Sequence, residues 1–279
     1  MINIVTAGCS FTEDPDSWAN ILQSKLSNDY NVYNCSKGGV GQEYITRSTL
    51  LKLNELKDSK TMCIIQFSGF SRLEIIVSAF ENPLFEKVVQ ERPEWDIHRS
   101  WYNDILKGDD TFVLKTTDAG HSWWKNKPTV EKMLDTVNQL YGMDQRLCRT
   151  YESILTLQMY CKQHNIPLLC FWGWADARPT WFAEMENTPI NKDRFPLASH
   201  VYNLVDWDSF WFHNNYSGMA EWMIDNGHTG KLEEDHTNNP PKGYHEYEGR
   251  KLMIGHPTMS AHNDFCEQVI VPWVNSVLK

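Results

Sequence analysis

The sequence predicts an α/β fold built on a parallel sheet, and three observations carry that prediction. Short apolar runs alternate with helical patterns through the first 70 residues, the signature of parallel strands joined by crossover helices. Each candidate strand there runs straight into Gly, Ser or Asn, the residues of tight connections. After a long irregular stretch the same unit resumes, with a helical segment followed by the apolar run Leu168–Trp172.

Ile2 to Ala7 reads as a buried first strand. Trp18, Ile21, Leu22, Lys25 and Leu26 then fall at helical spacing, with Asp16 or Ser17 as N-cap. Val32 to Cys35 is a short second strand. Gly38-Gly39-Val40-Gly41 opens a helix that carries Tyr44, Ile45, Ser48, Leu51 and Leu56, and Thr61 to Phe67 is the third strand. From about 80 to 127 the pattern dissolves into aromatic and charged residues with Pro83, Pro93 and Gly108, so this segment is expected as an insertion outside the sheet. Helical spacing returns from Thr129 to His164, with an interruption expected at Gly142 and a stop at Asn165-Ile166-Pro167. Leu168 to Trp172 is the fourth strand and Val201 to Val205 a weaker fifth. Residues 206–255, rich in Asn, Gly, His and acids, read as a long active-site loop, and Phe265, Val269, Ile270, Trp273 and Val277 mark a final helix despite Pro272. The expectation is one domain over 1–279, with insertions near 80–127 and 176–255.

With 41% hydrophobic and 22% charged residues the chain is not disordered, and it shows no internal repeat. Its net charge of −10 repels a phosphate backbone and argues against nucleic acid as a partner. Seven cysteines without a C-x-x-C pair suggest neither a disulfide framework nor a Cys-rich zinc site, and Cys63 and Cys170 read as buried thiols. Met1 to Ala7 lacks the features of a signal peptide and no apolar run nears a membrane span. Synthesis and residence in the cytoplasm, with no membrane insertion, are therefore expected; release by lysis remains compatible with this.

In open parallel sheets ligands bind at the carboxyl ends of the strands. Three polar turns fall there: Gly8-Cys9-Ser10-Phe11-Thr12, Asn34-Cys35-Ser36-Lys37-Gly38-Gly39, and Ser68-Gly69-Phe70-Ser71-Arg72. Gly255-His256-Pro257 precedes the last helix. Together they offer a hydroxyl, a base and backbone donors. Serine is a weak nucleophile until a base takes its proton, and the oxyanion that follows needs preorganised N–H groups. Glycine lets such an N–H approach without a Cβ in the way. The set suits acyl transfer through a tetrahedral intermediate, and no cofactor is called for.

These residues resemble the SGNH hydrolases, the GDSL esterase and lipase family, and the resemblance implies a three-layer α/β/α sandwich with a flavodoxin-like parallel sheet. Gly8-Cys9-Ser10-Phe11-Thr12 is similar to the family's first block, which makes Ser10 the nucleophile and one oxyanion donor. Asn34 with Gly39 resembles the second block, whose glycine N–H is another donor. Gly69-Phe70-Ser71-Arg72 stands where the family has Gly-x-Asn-Asp, so Ser71 is a third oxyanion candidate. His256-Pro257 resembles the last block and its catalytic histidine. The Gly-Cys-Ser-Phe-Thr opening and the Phe-Ser-Arg ending look like divergent members common in bacteriophage genomes. The implied activity is hydrolysis of a small ester, including O-acetyl groups on a carbohydrate.

Two departures from the family pattern bear on that expectation. Ser71 replaces the block-three asparagine, and losing one oxyanion donor typically costs ~10²–10³ in rate. Met253 stands three residues before His256, where the family has aspartate. Either a Ser10–His256 dyad works alone, or Asp235, Glu246 or Glu248 supplies the acid; an unoriented imidazole costs ~10⁴ in a triad enzyme. The same departures favour the alternative of a catalytically inactive member serving as a glycan-binding or virion structural module. A third alternative, a metal-dependent hydrolase, would use Asp225, His228, Asp235, His236, His245, Glu246 and His256, although His245-Glu246 lacks the second histidine of H-E-x-x-H. No dinucleotide or P-loop pattern is present, because Tyr44 occupies the third glycine position and no Gly-Lys-Ser/Thr follows. Arg72 reads first as the partner of Glu74 or Glu43, and His262 as a residue inside the last helix. Twelve tryptophans, among them Trp123, Trp124, Trp172, Trp174, Trp181, Trp207, Trp211 and Trp222, offer faces for stacking sugar rings or for packing insertions onto the domain.

Overall fold

A computed structural model describes residues 1–70, 72–78, 111–116, 128–174, 195–214, 218–231, 244–247, 250–253 and 255–277. The chain runs β1 (Ile2–Ala7), α1 (Ser10–Glu13), α2 (Trp18–Lys25), β2 (Tyr30–Asn34), α3 (Gln42–Glu55) and β3 (Thr61–Phe67). It continues through β4 (Leu73–Ser78), β5 (Thr111–Thr116), α4 (Pro128–Leu140), α5 (Met143–Gln163), β6 (Leu168–Trp172) and α6 (Pro196–Tyr202). Then come a 3₁₀ turn (Trp207–Ser209), α7 (Met219–Asp225), β7 (Gly230–Lys231), β8 (Tyr244–Tyr247), β9 (Arg250–Met253) and β10 (His256–Pro257). The last stretch is α8 (Met259–Phe265), a π turn (Cys266–Ile270) and α9 (Val271–Val277).

The central sheet has the order β2-β1-β3-β6, and all three of its pairings are parallel. Such a sheet needs cover on both faces. α3 and α5 pack together on one side, and α2 with α8 and the π turn on the other, which makes the expected three-layer α/β/α sandwich. Every residue of β3 is buried, whereas β2, at the sheet edge, is half-buried throughout. Trp18, Phe171 and Phe265 fill the space beneath the second layer, with ring centroids 5.4 and 5.2 Å apart in sequence.

The helix boundaries follow local chemistry. Ser17, rather than Asp16, caps α2 by accepting from Asn20 N. α4 and α5 break at Gly142 as the sequence predicts. α5 stops at Asn165, which takes a positive φ of 53° ahead of Pro167. Leu51, carried by α3, is 37% exposed and lies on the solvent side of that helix. The final helix persists through Pro272 because the π turn just before it widens the hydrogen-bond ladder where proline cannot donate.

Two expectations are corrected. Val201 to Val205 is not a strand: its first two residues close α6, with Pro196 at the start and Asp144 of α5 accepting from Leu197 N and Ala198 N at 3.1 and 2.8 Å. A remote carboxylate thus caps a helix that β-branched residues disfavour. The place beside β6 goes instead to Phe210, which bridges Cys170 in parallel. Residues 206–255 are not one long loop either, since α7 and the short strands β7, β8 and β9 lie within them. Most of the two expected insertions, including 79–110, 117–127, 175–194 and 232–243, falls outside the described residues. No described helix is long and apolar enough to cross a membrane.

All seven cysteines are free and buried. Burial pushes the Cys35 and Cys148 thiols up to about 11 and Cys266 to about 12. Because the thiolate is the reactive form, the native protein should react with a disulfide reagent such as DTNB far more slowly than the denatured chain, which should release seven equivalents. Rapid native reaction of one thiol would contradict this burial.

Candidate active site

β1 ends at Ala7 and the chain turns through Gly8 and Cys9 into α1, whose first residue is Ser10. Gly8 is required here. A Cβ on it would lie 2.3 Å from Thr12 Oγ1 and 2.8 Å from Gln66 Oε1. Gln66, fully buried on β3, explains the crowding: its Oε1 accepts from Cys9 N at 3.3 Å, Thr12 Oγ1 at 3.0 Å and Cys9 Sγ at 3.3 Å. Gln66 Nε2 donates to Phe67 O at 2.6 Å, and Thr12 Oγ1 in turn accepts from Trp18 Nε1 at 3.2 Å. The turn that presents Ser10 is therefore clamped from inside the sheet. Gln66 lay inside an apolar strand run, and that misfit, an amide among Cys63, Ile64, Ile65 and Phe67, is the signal that would have found it.

The second turn is tied to the first. Asn34 donates from Nδ2 to Thr12 O at 2.8 Å and accepts from Ser36 N at 3.1 Å. It is thus a brace between turns. Glu13 of α1 accepts from Gly38 N and pairs with Lys37 Nζ at 2.6 Å. A Cβ at Gly38 would lie 3.6 Å from Ser10 Cβ, so the 37–39 turn sits directly beside the serine. Gly39 has φ 71°, a left-handed conformation that favours glycine. Neither Ser10 N nor Gly39 N donates to an acceptor among the described residues. Gly39→Ala should strain the turn by about 1 kcal/mol and, through misplacement of that N–H, lower any turnover roughly 10–10²-fold; unchanged kcat would show that Gly39 serves only as a turn residue.

His256 arrives from the far end of the chain. β10 pairs antiparallel with β7, His256 opposite Lys231, and Thr258 caps α8 by accepting from Ala261 N. Its Nε2 lies 2.9 Å from Ser10 Oγ. Phe11 meets the imidazole edge-to-face at 5.6 Å, and Trp174 lies 5.0 Å from Phe11, so two aromatic rings form an apolar wall beside the pair. Among the described residues, no carboxylate hydrogen-bonds to His256. Ser71, Asp235 and Glu248 lie outside the described residues, as do the side chains of Glu246 and Met253. Among the described residues no group of three His, Cys, Asp or Glu side chains could hold a metal ion; Asp235 and His236 are not among them.

His262 lies in α8 and is fully buried, as expected from its helical position. The tryptophans of the expected loop pack inward: Trp222 and Trp211 sit 5.3 Å from Phe265, and Trp207 5.0 Å from Phe210. Trp123, Trp124 and Trp181 lie outside the described residues. Trp174 is the one described tryptophan that stands against Phe11.

No protein-family model matches the chain, and no curated protein matches it. Among solved structures the chain is similar to TesA, at 11% identity and a TM-score of 0.41, with 96% of each chain covered. At that distance the similarity carries nothing about activity or residues.

Proposed function

We propose that this chain is a serine hydrolase of the SGNH type that cleaves small esters through Ser10 and His256. One observation carries the reading: at the carboxyl end of a parallel sheet, two residues 246 positions apart in sequence place Oγ and Nε2 at 2.9 Å. That is the distance at which a base takes a serine proton. Ser10 Oγ attacks the acyl carbon while His256 Nε2 accepts its proton, and the N–H groups of Ser10 and Gly39 face the oxyanion, with Ser71 as a further donor. Collapse breaks the bond to the leaving oxygen, which takes the proton from Nε2 and departs as the alcohol. Water, deprotonated by the same nitrogen, then attacks the acyl-enzyme, and the acid leaves with Ser10 restored. The half-buried Trp174 ring beside Phe11 supports an O-acetylated sugar as substrate, since an indole offers apolar surface on which a sugar ring can stack.

The imidazole works as a dyad base or with an acid from the 232–249 region. A fluorophosphonate probe should label Ser10, located by peptide mass spectrometry and lost in Ser10→Ala. A second reading, a glycan-binding or virion structural module without turnover, is favoured by Met253 at the position of the family's aspartate and by Ser71 at that of its block-three asparagine. Saccharide binding that survives Ser10→Ala, together with an unlabelled Ser10, would establish it over hydrolysis.

A further inference from the structure

We propose that Arg72 is the anion-recognition residue of this site and that the ester it serves carries a carboxylate or phosphate close to the acyl group. The inference rests on the hydrolase reading and narrows its substrate class.

Arg72 follows β3 at the same sheet end as Ser10. Its backbone is held tightly: Arg72 N donates to Gly69 O at 3.2 Å, and a Cβ on Gly41 would come within 2.6 Å of Arg72 O. The guanidinium lies over the Trp174 ring, 4.8 Å from its centroid, and Trp174 leads through Phe11 to His256. The cation therefore sits on the ring that connects through Phe11 to the His256 imidazole.

What marks it as a binding group is a buried donor left open among the described residues. Nη1 is buried and has no hydrogen-bond partner among the described residues. The sequence offers a carboxylate such as Glu74 or Glu43 as its partner. Glu43 is corrected: its carboxylate faces Arg149, Nε to Oε1 3.1 Å, and burial pushes that carboxyl above the usual carboxylate range, with Arg149 and Arg47 pulling it back. Glu74's side chain is outside the described residues. A guanidinium nitrogen that is buried without a hydrogen-bond partner is expensive to maintain. Its planar fork suits carboxylate and phosphate oxygens, and stacking on an indole holds the fork in place without using its donors. In a chain of net charge −10, a local cation of this kind is also what lets an anionic substrate dock.

The test compares two nearly isosteric acetate esters, 4-acetoxybenzoate and 4-acetoxybenzamide, with inorganic phosphate as a competitor. Wild type should favour the anionic ester in kcat/KM, and rising salt should erode that preference. Arg72→Met should lower kcat/KM for 4-acetoxybenzoate about tenfold to a hundredfold more than for 4-acetoxybenzamide, chiefly through KM, and should weaken phosphate inhibition. Arg72→Lys, which keeps the charge without the fork, should retain a smaller preference of the same sign. Phosphate inhibition that exceeds benzoate inhibition and depends on Arg72 would assign the phosphate source; the reverse order would assign the carboxylate. An equal loss on both esters, or an unchanged ratio in Arg72→Met, overturns the proposal while the hydrolase reading stands. No turnover of either ester by wild type, with Ser10 unlabelled by fluorophosphonate, overturns both.

Discussion

Ser10→Ala should lower kcat/KM for ester hydrolysis by at least about 10³-fold and leave the melting temperature nearly unchanged. The rate loss follows from removing the only described group that can bond covalently to an acyl carbon at the His256 imidazole. What survives is binding and backbone donation, which alone give modest acceleration in triad enzymes. The small stability effect follows because Ser10 is half-buried and its hydroxyl makes one described hydrogen bond, to His256. His256→Ala should cost a comparable factor, and the double variant should be no slower than the worse single one, since groups that act as a unit are not additive. Steady-state kinetics on an aryl acetate with all three variants decides the matter. Losses that multiply would mean that the two residues act separately, and retained activity in Ser10→Ala would remove serine catalysis altogether.

Gln66→Leu is expected to cost both stability and turnover. Leucine fills similar space but accepts nothing, so Cys9 N and Thr12 Oγ1 lose their acceptor in a region closed to water. Unsatisfied buried donors cost about 1–3 kcal/mol each, so the variant should lose roughly 2–6 kcal/mol and melt several degrees lower. The released turn is the one that aims Ser10, and a displacement of about 1 Å there can reduce rate ~10²-fold. Because Gln66 touches neither Ser10 Oγ nor His256, kcat should fall more than KM changes. Thermal melts alongside kinetics check both halves. A variant as stable and as fast as wild type would show that the amide only fills space.

Much of the layout was legible. β1, β3 and β6 were readable because a strand buried on both faces must be apolar almost throughout, and the break at Gly142 and the stop before Pro167 follow from backbone chemistry that acts within a few residues. Val201 to Val205 misled because β-branched composition is a local signal, while the Asp144 carboxylate that caps α6 comes from 53 and 54 residues away. The tryptophans of 207–222 were legible either as faces for sugar rings or as packing for the insertions, and the structure takes the second, closing a core around Phe210 and Phe265.

The site divides in the same way. By itself the sequence determined the parallel α/β plan, the turns at its strand ends, and Ser10, Gly39 and His256 as residues whose types suit acyl transfer. Each of those depends on residue identity and short spacing. Only the tertiary structure decided that His256 reaches Ser10 across 246 residues, that Gln66 clamps the serine turn from 57 and 54 residues away, and that Arg72 stands over Trp174 while Glu43 pairs with Arg149. Such pairings are made by packing the layers together, and no spacing along the chain encodes them.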